Sequence, residues 1–187
     1  MPAATLLQRS IRFFNRGDPI SFCARVVPLL IVLPLLTTTE TFQRLVQDPL
    51  MKGTAIVLYA ILRLLGQTVT RSGTYVSSAD FSVKVVEGCT GIYTVLILFA
   101  LTIAFPARWR SRITGILLGA ALLGALNVVR LVTLFLIGRN HRHLFDEAHL
   151  FVWQTLTVII ALLFWYVWAQ RALARLEPAA PETGASR

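Results

Sequence analysis

Three residues with reactive side chains are widely separated in this 187-residue chain. Cys89 lies in Glu-Gly-Cys-Thr-Gly, Arg130 ends Asn-Val-Val-Arg, and His149 follows Phe-Asp-Glu-Ala. A thiolate is a nucleophile, an imidazole can take and return its proton, and a guanidinium can stabilise the oxyanion that forms on an attacked carbonyl. The three residue types therefore indicate acyl transfer by a cysteine, provided that folding brings them together.

The composition indicates the environment in which such a site would be built. Hydrophobic residues make up 56% of the chain, charged residues only 14%, and the mean hydropathy is +0.68. A soluble domain carries about a quarter charged residues, so we predict an all-α polytopic membrane protein. The net charge of +9 comes from arginines beside apolar runs. This arrangement is typical of membrane topology, and we expect contact with membrane lipid but no nucleic-acid partner.

Hydropathy predicts about four transmembrane helices, of which the first two are short. They cover residues 26–39, 90–105, 113–137 and 150–169. Basic clusters at residues 9–16, 108–112 and 171–175 are placed in the cytoplasm by the positive-inside tendency. Residues 40–89 and 138–149 then lie outside. A further apolar run, residues 50–66, carries charges on one face. If it also crossed the membrane, the basic clusters would no longer all lie on the cytoplasmic side. We therefore predict an amphipathic or re-entrant helix there.

The stretch before Cys89 has the alternation of β-strands rather than a helical period. Residues 74–76 and 81–85 alternate, and Ser-Ser-Ala-Asp at residues 77–80 is typical of a turn. We predict a short extracytoplasmic β-hairpin that leads directly to Cys89. The predicted organisation is a cytoplasmic segment (1–21), a membrane catalytic domain (22–170) and a disordered cytoplasmic tail (171–187).

The topology places the three reactive residues at one depth. Cys89 is at the outer end of the second span, and His149 is at the outer start of the fourth. Arg130 is 17 residues beyond Ile113, which is about 26 Å along a helix and close to the far edge of a core about 30 Å thick. We therefore predict that all three meet at the extracytoplasmic face.

Neighbouring residues are candidates for supporting roles. Gly91 leaves space for a substrate backbone, Asn127 shares a helical face with Arg130, and either acidic residue before His149 can orient its ring. The supporting set is Glu87, Thr90, Gly91, Asn127, Asp146 and Glu147. The start of a helix after Cys89 would also stabilise a thiolate.

Each of these residues also has a simpler interpretation. Cys89 can be a buried inert thiol, Arg130 can extend to the membrane interface, and acidic residues at a helix start are ordinary caps. Cys23 is predicted at the opposite face, too far away for a disulfide with Cys89, and is expected only to pack. The spacing of the three histidines matches no common zinc site, and we expect no metal and no cofactor.

These residues resemble the exosortase/archaeosortase family of membrane enzymes. The resemblance covers roughly residues 50–168 and rests on Cys89 in Glu-Gly-Cys-Thr-Gly, Asn-Val-Val-Arg130 and His149, in that order. It implies that these three are the catalytic set of a cysteine transpeptidase in the bacterial inner membrane. The chain is similar in length to the compact subclass called exosortase H.

The resemblance also implies the substrate and the reaction. The substrate is a secreted protein whose C-terminal signal consists of a short motif, a transmembrane helix and a basic end. Cys89 cleaves after the motif through a thioester, and an acceptor releases the product. Two other classes remain open from the residues alone: a non-catalytic assembly or scaffold subunit, and a small transporter with Arg130 as an anion site. The scaffold hypothesis predicts that Cys89→Ala leaves function intact. Against the transporter hypothesis, the chain shows no internal repeat of the kind that is typical of transporters.

Overall fold

The computed structural model describes residues 19–175, which form five helical segments and a small sheet. The helices are α1 (Pro19–Thr37), α2 (Glu40–Leu64), α3 (Ile92–Ala104), α4 (Trp109–Asn140) and α5 (Arg142–Ala174). The strands are β1 (Thr70–Ser72), β2 (Tyr75–Ser77) and β3 (Ser82–Lys84). The predictions for the basic residues 9–16 and for residues 176–187 of the tail lie outside the described residues. Residues 171–174, predicted to belong to the disordered tail, instead form the last turn of α5.

The chain is an all-α polytopic membrane protein, as its composition predicted. In the described part, α1, α2, α4 and α5 are each long and apolar enough to cross a membrane. This set differs from the predicted four spans. The second predicted span forms α3, which has only 13 residues, because Gly91 precedes it and Pro106 follows its end. The segment predicted to form an amphipathic or re-entrant helix is helical, and it makes up the second part of the longer helix α2.

Helix α3 lies at the centre of the bundle although it is the shortest of the five segments. It contacts α1, α4 and α5. Small side chains make this close packing possible: Gly119 of α4 lies against Leu98 and Phe164, and a β-carbon there would overlap both side chains. A 13-residue helix is about 20 Å long, so α3 needs its flanking turns to cross the bundle.

The bundle has two distinct ends. At one end, which we call the Phe105 end, Phe105 is fully buried between Phe22, Trp165 and Trp168. At the other, the Cys89 end, the second half of α4 packs against α2 and the sheet, and this cluster includes Cys89. The rings at the Phe105 end join the start of α1 to the end of α3, so these two helices run antiparallel.

Helix α2 begins and ends at the Cys89 end. Its start is tied to the end of α1 by the Gln47 side chain, whose amide donates to the Thr37 carbonyl at 3.5 Å. Its last turns bury Leu58 and Leu62 against the second half of α4 and the sheet. The chain therefore returns to the end at which α1 left it. Although α2 is long enough to span a membrane, both of its ends pack at the Cys89 end of the bundle, and the predicted number of crossings stays a prediction.

The sheet extends the predicted hairpin by one strand. Its order is β1-β2-β3, all antiparallel, with Val76 opposite Val83 and Tyr75 opposite Lys84. The additional strand β1 joins β2 through Gly73, whose φ of 60° suits the first central position of a type II′ turn. Val76 is fully buried against the cluster at the Cys89 end. The Ser-Gly dipeptide before β2 is a turn signal that could have indicated β1 from the sequence.

Candidate active site

Cys89 is the last residue of a 3₁₀ turn, Glu87–Cys89, that joins the sheet to α3. Its own N–H donates to the Val86 carbonyl at 2.9 Å, which closes the turn. Thr90 stabilises the same turn, because its hydroxyl donates to the Glu87 carbonyl at 2.7 Å. Cys89 is half-buried and forms no disulfide. The nucleophile candidate is therefore held on a rigid turn and remains partly accessible.

Asn127 connects this turn to α4. Its side-chain amide donates to the Cys89 carbonyl at 2.8 Å, and the residue is only 8% exposed. Gly91 begins α3 with a φ of 74°, which favours glycine. A β-carbon at Gly91 would lie 3.3 Å from the Asn127 side chain, so glycine is also required for the close approach. The sequence suggested a supporting role for Asn127 because it shares a helical face with Arg130, and its hydrogen bond shows that it positions the Cys89 backbone.

Arg130 lies one turn further along α4 and is almost fully buried. It is 7% exposed, and its Nε has no hydrogen-bond partner among the described residues. A charge within a membrane helix is costly unless it is paired or lines a polar cavity. The guanidinium interacts electrostatically with the thiol group of Cys89 and with the ring of His149. Arg130 is therefore close enough to both other reactive groups to act on them electrostatically, and its Nε is not engaged by another described residue.

His149 lies in a π-helical stretch, Ala148–Trp153, within α5. Such stretches are rare and are frequent at functional sites. The imidazole stacks on Phe145, with ring centroids 5.9 Å apart, and the residue is half-buried. Phe145 in turn packs against Phe81 at the start of β3, with centroids 5.7 Å apart. A row of three rings therefore joins the sheet to the candidate base, which the sequence did not indicate.

The acidic residues near the site differ in their relation to it. Asp146 and Glu147 are both exposed, and the Asp146 carboxylate acts electrostatically on the His149 ring. Glu87 lies next to Cys89 in the 3₁₀ turn and accepts a hydrogen bond from the Tyr93 hydroxyl at 3.0 Å. Of the two candidates for orienting His149, the electrostatic effect on its ring favours Asp146, while Glu87 is engaged with α3.

The remaining candidates lie apart from this site. The His141 and His143 rings are 6.2 Å apart, but no cluster of three or more His, Cys, Asp or Glu side chains suited to a metal occurs between residues 19 and 175. Cys23 is exposed on α1, next to the Phe105 end of the bundle. Its side chain is exposed and therefore does not pack inside the protein.

Fold and site together define a multi-pass membrane protein with a cysteine, an arginine and a histidine at one end of its bundle. The family model of the transmembrane exosortases matches residues 19–166, which is most of the chain. The chain therefore belongs to the transmembrane exosortase family, and the resemblance seen in the sequence is confirmed. No curated protein and no solved structure matches the chain. Family membership supports a role as a membrane transpeptidase of the cysteine type.

Proposed function

We propose that this protein cleaves the C-terminal sorting signal of secreted proteins at the outer face of the bacterial inner membrane and transfers the product to an acceptor. Cys89 is the nucleophile, His149 the base and then the acid, and Arg130 the charge stabiliser. The observation that carries the proposal is the buried Arg130 guanidinium, which acts on both other groups and leaves Nε unpaired among the described residues.

The first half of the reaction forms a thioester. The His149 imidazole takes the proton of the Cys89 thiol, and the thiolate attacks the carbonyl carbon of the scissile peptide bond. The negative charge that develops on the carbonyl oxygen is stabilised by the Arg130 guanidinium, which is already desolvated and requires little reorganisation. The carbon–nitrogen bond then breaks, and the imidazolium returns its proton to the leaving amine of the C-terminal helix.

The second half releases the secreted protein. A hydroxyl or amine of the acceptor attacks the thioester carbonyl while His149 removes its proton, and the Cys89 thiolate leaves. Because the substrate is tethered in the same membrane by its own helix, its effective concentration at the site is high. A site of this kind does not need a deep pocket, which fits a half-buried cysteine near the end of the bundle.

The test is co-expression with a candidate substrate that carries a C-terminal helix and a basic end. The wild type is expected to shorten this substrate, and Cys89→Ala is expected to abolish the shortening. Cys23→Ala is the matched control, because it removes the other cysteine in the chain, which lies next to the opposite end of the bundle. Unchanged processing by Cys89→Ala would exclude the cysteine mechanism and favour the scaffold role.

A further inference from the structure

The sheet has an open edge that borders the candidate site. Strand β3 pairs with β2 on one side only, because the order is β1-β2-β3 and β3 is the last strand. It runs through Val85 and Val86 into the 3₁₀ turn that ends at Cys89. At its other end, Phe81 packs on Phe145, which stacks on His149. The two ends of β3 are therefore joined to the nucleophile candidate and to the base candidate.

The backbone hydrogen bonds show which groups of β3 are free. The Val85 N–H donates to the Thr74 carbonyl at 2.9 Å, and the Ser78 N–H donates to the Phe81 carbonyl at 2.7 Å. Alternate residues of an antiparallel strand direct their backbone polar groups to opposite sides. Phe81, Val83 and Val85 therefore face β2, whereas the N–H and C=O of the residues between them point away from the sheet.

The outward groups belong to Ser82 and Lys84, and both residues are exposed. Next in this series is Val86, which is 45% exposed and whose carbonyl is already used by the Cys89 N–H. An unpaired strand edge is a ready template for an extended peptide, which gains affinity from main-chain hydrogen bonds. Of the two edges of the sheet, only that of β3 leads directly to the candidate nucleophile.

We propose that the substrate's extended signal segment binds the free edge of β3 as a fourth strand, which presents its scissile bond to Cys89. The proposal rests on the function proposed above and adds the mode of recognition. The occupant is an extended stretch of the secreted protein just before its transmembrane helix. An added strand lies about 4.8 Å from β3, so it runs along the line from Phe81 to Cys89. Main-chain recognition of this kind reads an extended backbone, with side chains adding specificity at alternate positions.

The main test removes one backbone donor from each edge of the sheet. Lys84→Pro deletes the outward N–H of β3. Arg71→Pro is the matched control, because Arg71 lies opposite Val76 in β1 and its N–H points away from the sheet at the far edge. Proline is tolerated at edge strands when the lost N–H faces outward. Lys84→Pro is expected to lower kcat/KM for the substrate at least about fivefold, and Arg71→Pro to leave it close to wild type. Equal effects of the two prolines would overturn the proposal.

A second readout separates loss of binding from damage to the turn. Alkylation of Cys89 by a small thiol reagent does not need the signal segment, so it is expected to proceed at the wild-type rate in Lys84→Pro. Alkylation slowed as much as cleavage would mean that the proline distorts the turn, and would count against recognition by β3. Lys84→Ala, which keeps the N–H, is expected to retain more activity than Lys84→Pro.

The substrate provides an independent test that does not depend on catalysis. In a Cys89→Ala, Cys23→Ala background, Lys84→Cys is expected to form disulfides with single cysteines at every second position of the signal segment, because cross-strand neighbours alternate in facing. Cross-links without periodicity, or none, would overturn β3 recognition. If Cys89→Ala still processes the substrate, the proposed chemistry fails, while the cross-linking pattern continues to report separately on binding.

Discussion

At the residue scale, the arrangement of charge explains why an arginine can lie inside a membrane helix. Arg130 is 7% exposed and interacts with Cys89 and His149 rather than with an acidic partner among the described residues. A permanently charged, planar group with an unpaired Nε is suited to an oxyanion that exists only during the reaction. In this interpretation the cost of burying Arg130 is offset by stabilisation of the transition state.

Arg130→Ala is expected to lower the rate of substrate cleavage about 10²–10³-fold, which is the usual effect of removing one oxyanion donor. Arg130→Lys keeps the charge but loses the fork of donors, so an intermediate rate is expected. The measurement is single-turnover cleavage by protein purified in detergent, with the thermal unfolding temperature as a check on folding. A cleavage rate of Arg130→Ala equal to wild type would exclude the assigned role.

Asn127→Ala is expected to slow cleavage by releasing the Cys89 carbonyl from α4. Asn127→Asp should not restore the rate, because an ionised carboxylate has no donor for a carbonyl. Thr133→Ala is the matched control in the same helix, since the Thr133 hydroxyl bonds only to carbonyls of its own helix. A positioning role predicts that the alkylation rate of Cys89 changes together with cleavage in the Asn127 variants. Unchanged alkylation would contradict it.

Two neighbouring carboxylates allow a paired test of how His149 is oriented. Asp146→Asn is expected to lower the cleavage rate more than Glu147→Gln, because only Asp146 acts electrostatically on the imidazole. Both residues are exposed, so neither substitution should affect folding. The comparison is made at one pH with the same substrate. A larger effect of Glu147→Gln would reverse the assignment.

At the element scale, α4 is the helix that contacts every other element of the site. It holds the Cys89 turn through Asn127, it carries Arg130, and its end supports the sheet where Gly138 meets the Phe81 ring. A β-carbon at Gly138 would overlap that ring, which is also held by Phe135 and Phe145. Close contact at this glycine therefore fixes the position of β3 relative to the bundle.

Gly138→Ala is expected to lower the thermal unfolding temperature of the purified protein and to reduce cleavage, because the ring of Phe81 must move. Gly124→Ala is the matched control in the same helix, since a β-carbon there meets nothing within 4 Å. The control should be neutral or stabilising, as alanine favours helix over glycine by about 1 kcal/mol. Equal melting temperatures for the two variants would contradict the packing argument.

At the scale of the whole molecule, the order of crossings is decided by how α1 and α3 pack. Because the two helices are antiparallel, α1 ends and α3 begins at the Cys89 end. Helix α2 and the sheet connect them at that end, although α2 by itself is long enough to span. With the basic segment before α4 in the cytoplasm, the Cys89 end faces outward. This orientation remains part of the proposed function.

Single cysteines introduced at the two ends of α2 test this topology. In a Cys23→Ala, Cys89→Ala background, Thr39→Cys and Thr68→Cys are both expected to react with a membrane-impermeant thiol reagent added outside intact cells. Arg108→Cys, between α3 and α4, is expected to react only after the membrane is opened. Labelling of only one of the two α2 positions from outside would show that α2 crosses the membrane.

The sequence by itself determined the class of the protein and predicted a common depth for its reactive residues. Hydropathy is a sum over local composition, and the rise per residue of a helix converts chain positions into depth. Predicting the class of protein and the depth of a residue therefore needs no knowledge of tertiary contacts. The strands of the hairpin were equally local, since alternation of side chains and turn residues predicted β2 and β3. The roles of Cys89, Arg130 and His149 remain predictions, supported by family membership and by their placement.

The tertiary structure alone decided how these residues are held. The Asn127 bond to the Cys89 carbonyl joins residues 38 positions apart, and such a partner depends on how two helices pack, which periodicity does not encode. The same holds for the central position of the short α3, for the ring contacts that connect Phe81 to His149, and for the free edge of β3. Each depends on which surfaces meet, and that choice is made by the packing of the whole chain.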